Sequence, residues 1–236
     1  MKSIIYTTLL FLIAGSANAT FEHIGEASIV LSGGNSDLST YNFKTNNTKK
    51  FDKLTGSFGG HYTLGEASDV EIVRNWDVNA KVDTKFTKTL GAFIGEKLEG
   101  DKFAGYERRL NTDVGISDVF FTSDTQELKG EVGYRNFYEK NIDPAVGSKN
   151  DHMGRLNLKY RYTAKDRFVI ESYVEYLPNF SESEDYLVNF GPSIAFSLTS
   201  IFSFKVGYDG RYDNQPAIEG NRKLDYLYTT SIISKF

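Results

Sequence analysis

The sequence predicts an all-β protein: a closed antiparallel transmembrane β-barrel of about twelve strands in up-and-down order, the even number found in single-chain bacterial barrels. Three observations carry this. The final segment alternates with period two, Leu224, Tyr226, Tyr228, Thr230, Ile232, Ser234 and Phe236 sharing one face against Asp225, Leu227, Thr229, Ser231, Ile233 and Lys235 on the other. Such a long strand, with aromatic side chains crowding one side, suits a wall that meets lipid outside and water within. An N-terminal segment has the layout of an export signal: Lys2, then an apolar stretch from Ile4 to Ala14, then Ala17-Asn18-Ala19. The links between candidate strands alternate between short and long, as they do in outer-membrane barrels.

The signal is expected to end at Ala19, with Ala17 and Ala19 as the small residues a signal peptidase reads. The apolar stretch is far shorter than the ~20 residues of a spanning helix, so an anchor is the weaker reading. Two units follow: a signal peptide over 1–19 and one barrel over 20–236. The chain has a net charge of −4 with Lys2 the only charge in the signal. A mildly acidic chain is a poor fit to nucleic acid, because phosphate binding needs a basic surface. With 0 cysteines there is neither a disulfide framework nor thiol chemistry. No cofactor is implied.

The candidate strands fall, in order, at 24–32, 38–51, 54–66, 70–86, 90–100, 108–121, 126–139, 152–162, 167–177, 185–198, 202–212 and 223–236. The fourth sets Ile72, Trp76, Val78, Ala80, Val82 and Phe86 against Asn75, Asp77, Asn79, Lys81, Asp83 and Lys85. In the tenth, Tyr186, Val188, Phe190, Ile194 and Phe196 oppose Asp185, Asn189, Gly191 and Ser193, and in the eleventh Phe202, Phe204, Val206 and Tyr208 oppose Ser203, Lys205, Gly207 and Asp209. Short turns are expected at Asp52-Lys53, Lys88-Thr89, Ser123 to Thr125, Ala164 to Asp166 and Thr199-Ser200. The longer links run Gly33 to Ser36, Gly65 to Asp69, Asp101 to Glu107, Asn141 to Asp151, Pro178 to Glu184 and Asp213 to Arg222. With an even strand count both termini then share the periplasmic side, in the cell outer membrane.

The eighth strand decides which face is which. Arg155, Lys159 and Arg161 share a parity and Leu156, Leu158, Tyr160 and Tyr162 take the other. A basic residue facing lipid near the midplane costs ~2–4 kcal/mol, and a one-residue slip exposes several together. The charged parity therefore points inward. The resulting lumen network comprises Lys81, Asp83, Glu131, Arg135, Arg155, Lys159, Glu171, Glu175, Lys205 and Asp209, joined by Lys44, Asp77, Lys85, Asp113, Lys129, Arg161 and Arg211. A three-residue turn at Ala164 to Asp166 places Lys159 opposite Glu171 and Arg155 opposite Glu175. Mixed signs favour a paired interior over a selectivity lining, since an ion-selective pore carries one sign in excess.

Three motifs resemble the salt-induced outer-membrane protein family, a family of barrels of unknown function. They are Leu31-Ser32-Gly33-Gly34-Asn35-Ser36-Asp37, then Asp101-Lys102-Phe103-Ala104-Gly105-Tyr106-Glu107-Arg108-Arg109, and the Pro216 to Phe236 hairpin with its Lys223-x-Asp225. The middle motif matches the family's Asp-x-Phe-x-Gly-Tyr-x-x-Arg segment and is the most specific of the three. Ser36 stands where threonine is usual, and Gln215-Pro216-Ala217 is shorter than the family's proline-glycine loop. The resemblance implies location and topology; it implies no chemistry.

Hydrolysis is weighed against this. Outer-membrane lipid hydrolases pair histidine with serine on the outer wall, whereas Ser57 and His61 share the inward parity. His152 lies at a loop edge and His23 near the mature N-terminus, so satisfied or solvated histidines account for all three. No metal-binding spacing and no phosphate loop occur. The acidic run Ser181 to Asp185 reads as a solvated loop in preference to a cation site bridging lipopolysaccharide. Trp76, Tyr160, Tyr162, Phe168, Tyr176, Tyr208, Tyr212, Tyr226 and Phe236 are expected to form interfacial girdles. Phe236 further resembles the signal read by the barrel-assembly machinery. The expected partners are that machinery, outer-membrane lipid and lipopolysaccharide, and the expected state is monomeric. The function expected is non-enzymatic, an envelope or stress-related barrel, with a narrow channel for small or oligomeric solutes as the alternative.

Overall fold

A computed structural model describes residues 20–32, 38–165, 167–216, 220 and 222–235. Twelve strands form one closed barrel in which each pairs antiparallel with its sequence neighbours and the last returns to the first. They are β1 (Thr20–Ser32), β2 (Leu38–Lys50), β3 (Leu54–Ala67), β4 (Val70–Lys85), β5 (Gly91–Asp101), β6 (Tyr106–Thr122), β7 (Gln126–Asn141), β8 (Ser148–Ala164), β9 (Phe168–Pro178), β10 (Tyr186–Ser197), β11 (Phe202–Asp213) and β12 (Leu224–Lys235). Ala17, Ala19, Phe236 and the Gly33 to Asp37 link lie outside the described residues.

The wall is apolar outside and charged within. Large apolar side chains stand exposed on its outer face, Phe58 at 53% and Leu156 at 49%, while Arg155 and Glu175 inside are each 9% exposed. A water-soluble domain has the reverse arrangement, because burying charge costs more than exposing hydrocarbon. Tyr208, Tyr226 and Tyr228 form a contiguous outer cluster, with ring centroids 4.9 to 5.9 Å apart.

Three features depart from the sequence expectation. The link expected over Gly65 to Asp69 is a two-residue turn, with Ser68 and Asp69 both at positive φ. That pair of conformations fits the right-handed twist of the flanking strands, and a bulge at Gly65/Glu66 absorbs the change of register. The length contrast between the two ends therefore rests on 142–147, 179–185 and 214–223. Second, β8 starts at Ser148, before the expected 152. Its polar first turn shows no alternation, yet Gly147, at φ 79°, turns the chain so that Lys140 pairs with Ser148. Third, the β8–β9 turn starts one residue later than expected. Arg161 then pairs with Glu171 and Asn157 with Glu175, so Lys159–Glu171 and Arg155–Glu175 meet diagonally. Lys165 takes positive φ, and Arg167 donates its backbone N–H to Ala164 over 3.0 Å.

Closure is uneven. Neighbouring strands share long ladders, whereas β1 and β12 share, among the described residues, Ile24–Lys235, Gly25–Ser234, Glu26–Ile233 and Ala27–Ile232. Lys205 and Ser231 tie across this seam to Glu26, at 2.9 and 2.6 Å.

Candidate functional site

Two layers of side chains occupy the lumen. The middle layer grows from the inward parity of β4, β6, β7, β8 and β9. Lys81 reaches Asp83 and Glu131 at 3.0 and 2.6 Å, and Lys129 reaches the same two carboxylates at 3.4 and 3.1 Å. Arg155 bridges Glu131 and Glu175 at 2.8 and 2.7 Å, and Arg135 bridges Asp113 and Glu175 at 2.6 and 3.2 Å. Asn189 donates to the second oxygen of Glu175. Phe93 lies beside this layer, with Lys81 and Arg155 at 4.5 and 5.2 Å from its ring centroid. Four cations thus meet four carboxylates, so the layer carries no net charge.

The second layer lies toward the long-loop end and is built by the segment from Asp101 to Arg109. Asp101 Oδ1 accepts the N–H groups of Phe103 and Ala104, at 3.1 and 3.0 Å, which fixes the turn. Gly105, at φ 91°, then delivers Tyr106 into the lumen, 2% exposed. The Arg109 guanidinium stacks on Tyr106 and Phe137, at 4.0 and 4.7 Å. It pairs with Glu139 at 2.6 Å and approaches Glu99 at 3.7 Å, while Lys97 holds Glu99 at 2.6 Å. Arg211, from the far side of the barrel, lies within electrostatic reach of Glu99 and Tyr106. Phe137, Met153, Leu177 and Leu187 form an inward apolar cluster beside it. Above them a cavity of about 110 Å³ opens between Lys149, Asp185, Asp213 and Val146. This layer is anchored on β5–β7 and faces Arg211 on β11.

The remaining candidates are dispersed. Lys205 pairs with Glu26, and Asp209 accepts from the Tyr173 hydroxyl at 3.2 Å. Lys159 and Arg161 share Glu171 at 3.9 and 3.2 Å in a more exposed group. His61 bonds Asp77 through Nδ1 at 2.8 Å and Thr63 through Nε2 at 3.0 Å. Thr63 is 0% exposed and also accepts from Asn42, so it offers no reachable nucleophile. Ser57 is directed instead to the Lys81 carbonyl. His152 stacks on Tyr134 and hydrogen-bonds its hydroxyl, and His23 bonds Asn47. Sequence reasoning missed Glu26, Lys97, Glu99 and Glu139, and placed Arg109 only within a motif.

The closed barrel has parallels. The model of the family described as "Protein of unknown function, DUF481" matches residues 25–236. The chain belongs to that family. Its membership agrees with the resemblance carried by Asp101 to Arg109. No curated protein matches the chain. Among solved structures, the KdgM porin superposes with a TM-score of 0.51 at 13% identity, covering 91% of this chain and 99% of that one. The NanC porin gives 0.51 at 12% identity, covering 91% and 98%. At such identity the likeness is one of fold.

Proposed function

We propose that this protein is a non-enzymatic outer-membrane barrel whose lumen is closed at rest. It is exported by its N-terminal signal, sits with its long loops outside and both termini in the periplasm, and acts as an envelope component. The observation that carries this reading is the second lumen layer, in which Arg109 stacks on Tyr106 and approaches Glu99, with Arg211 of β11 within electrostatic reach. The neutral middle layer supports it too, because an open selective pore displays an excess of one charge. Phospholipid and lipopolysaccharide around the wall, and the assembly machinery during insertion, are the partners this placement calls for.

The test is conductance in planar bilayers. The wild-type protein is expected to show little or no steady current, and Arg109→Ala, which removes the stacked guanidinium, to raise it at least about tenfold, the effect of relieving a barrier of 1.4 kcal/mol. A large stable wild-type current blocked by a defined solute would instead establish the channel reading, which the likeness to the KdgM and NanC porins supports. Lipid turnover that disappears on His61→Ala or His152→Ala would overturn the non-enzymatic reading.

A further inference from the structure

The outer face of β1–β4 and β12 carries a groove that neither lumen layer uses. Its floor is one register row: Ser234 pairs with Gly25, Gly25 with Thr45, and Thr45 with Gly60. One wall is formed by Ile232, Phe43 and Tyr62, which are 46, 49 and 42% exposed on this face, and the ends by Phe202 and Val78. The groove is shallow and open outward, with a volume of about 700 Å³. Because the floor includes Gly25–Ser234, the groove lies across the seam, where β1 and β12 share four pairs among the described residues.

What fits it follows from the charge beneath. On β2, Lys49 lies on the same face as Thr45, four residues nearer the short-turn end, which is about 14 Å along the strand. With the usual strand tilt this is about 10 Å of depth, less than the roughly 15 Å hydrocarbon thickness of one leaflet. Lys49 is steadied over the Phe51 ring at 5.3 Å. Around it the ends of β2 and β4 and the turns that follow them, 49–53 and 85–90, carry Lys50, Lys53, Lys85 and Lys88 and the single carboxylate Asp52, and Lys85 donates its N–H to the Lys53 carbonyl at 2.8 Å, which joins the two segments. The turn 123–125, by contrast, carries Asp124 and no cation.

We propose that the groove binds one acyl chain of an anionic phospholipid of the periplasmic leaflet, with its phosphate held by Lys49 and Lys53, and that the bound lipid reinforces the seam. This rests on the membrane placement proposed above. Near a surface, one lysine is worth about fivefold in affinity for an anionic headgroup.

The test is native mass spectrometry of the full mature protein in detergent with equimolar dioleoyl phosphatidylglycerol and dioleoyl phosphatidylcholine. One retained phosphatidylglycerol is expected, preferred at least about fivefold. Lys49→Gln with Lys53→Gln should bring the two lipids to parity, and Thr45→Phe, which fills the groove from an unstrained position, should lose both. The heat-dependent shift in gel mobility that marks a folded barrel should persist in all variants. A normal shift with equal adducts, or adducts indifferent to these substitutions, overturns the lipid site alone. Absence of the shift in the wild-type protein overturns the membrane reading and the lipid site with it.

Discussion

Arg155→Ala is expected to lower the stability of the barrel by about 3 kcal/mol, the cost of leaving buried charges without their partner. Arg155 is the link between the two halves of the middle layer. Its guanidinium reaches Glu131 at 2.8 Å, Glu175 at 2.7 Å and Asp113 at 3.3 Å, and its side chain is only 10% exposed. Glu131 keeps Lys81 and Lys129 after the change, and Glu175 keeps Arg135. The layer is then left with one uncompensated negative charge. The expected measurement is a lower midpoint of heat-dependent gel mobility, together with a shift of any residual current toward cations. Arg155→Lys retains the charge and loses the fork that serves two carboxylates at once, so its loss should be smaller. The double change Arg155→Ala with Glu131→Ala restores neutrality and should recover part of the midpoint. An Arg155→Ala midpoint equal to wild type would show that water inside the barrel already screens these pairs.

The strands that were legible in the sequence are those in which parity sorts chemistry cleanly. In β4 from Asn75 to Asp83, and throughout β11, apolar and polar or charged residues separate cleanly, and the observed bounds of both strands differ from the expected ones by one residue. Residues were missed where both parities carry charge. Glu96 faces outward, hydrogen-bonded by Thr112, while Glu99 in the same strand is buried inside, so alternation alone does not separate them. Arg108 and Arg109 are adjacent, and a bulge between Tyr106 and Arg108 decides which enters the lumen. The parity of Asp113 offered the signal: counting back from it selects Arg109. The displaced β8–β9 turn shows the opposite limit. Ala164 is small enough to end a strand or open a turn, and nothing local distinguishes the two registers, yet the diagonal reach of Arg155 and Lys159 keeps their partners unchanged.

Gly115→Val is expected to abolish folding. Gly115 pairs with Phe93 on one side and with Gly133 on the other. A Cβ there would lie 2.4 Å from the Val132 carbonyl oxygen, 2.7 Å from Gly133 Cα and 2.9 Å from the Phe93 ring. Two of those neighbours are backbone and cannot turn aside, and Gly133 meets the same obstacle at 2.5 Å from the Val114 carbonyl oxygen. The close approach of β6 and β7 has a purpose inside the barrel, because it leaves room for Phe93 under the cations Lys81 and Arg155. Relief by a bulge would displace Phe93 from them. Relief by a one-residue slip of β7 would turn Lys129, Glu131 and Arg135 toward lipid, at ~2–4 kcal/mol for each basic residue near the midplane. Neither route preserves the middle layer. Gly147→Ala provides the comparison: at φ 79° with no atom within 4 Å of a new Cβ, it carries only conformational strain, about 1–2 kcal/mol. Refolding yield, read as the fraction with heat-dependent mobility, should be negligible for Gly115→Val and near normal for Gly147→Ala. A Gly115→Val protein that refolds with the wild-type midpoint would mean that β6 and β7 stand further apart at this point than Val132 and Gly133 place them.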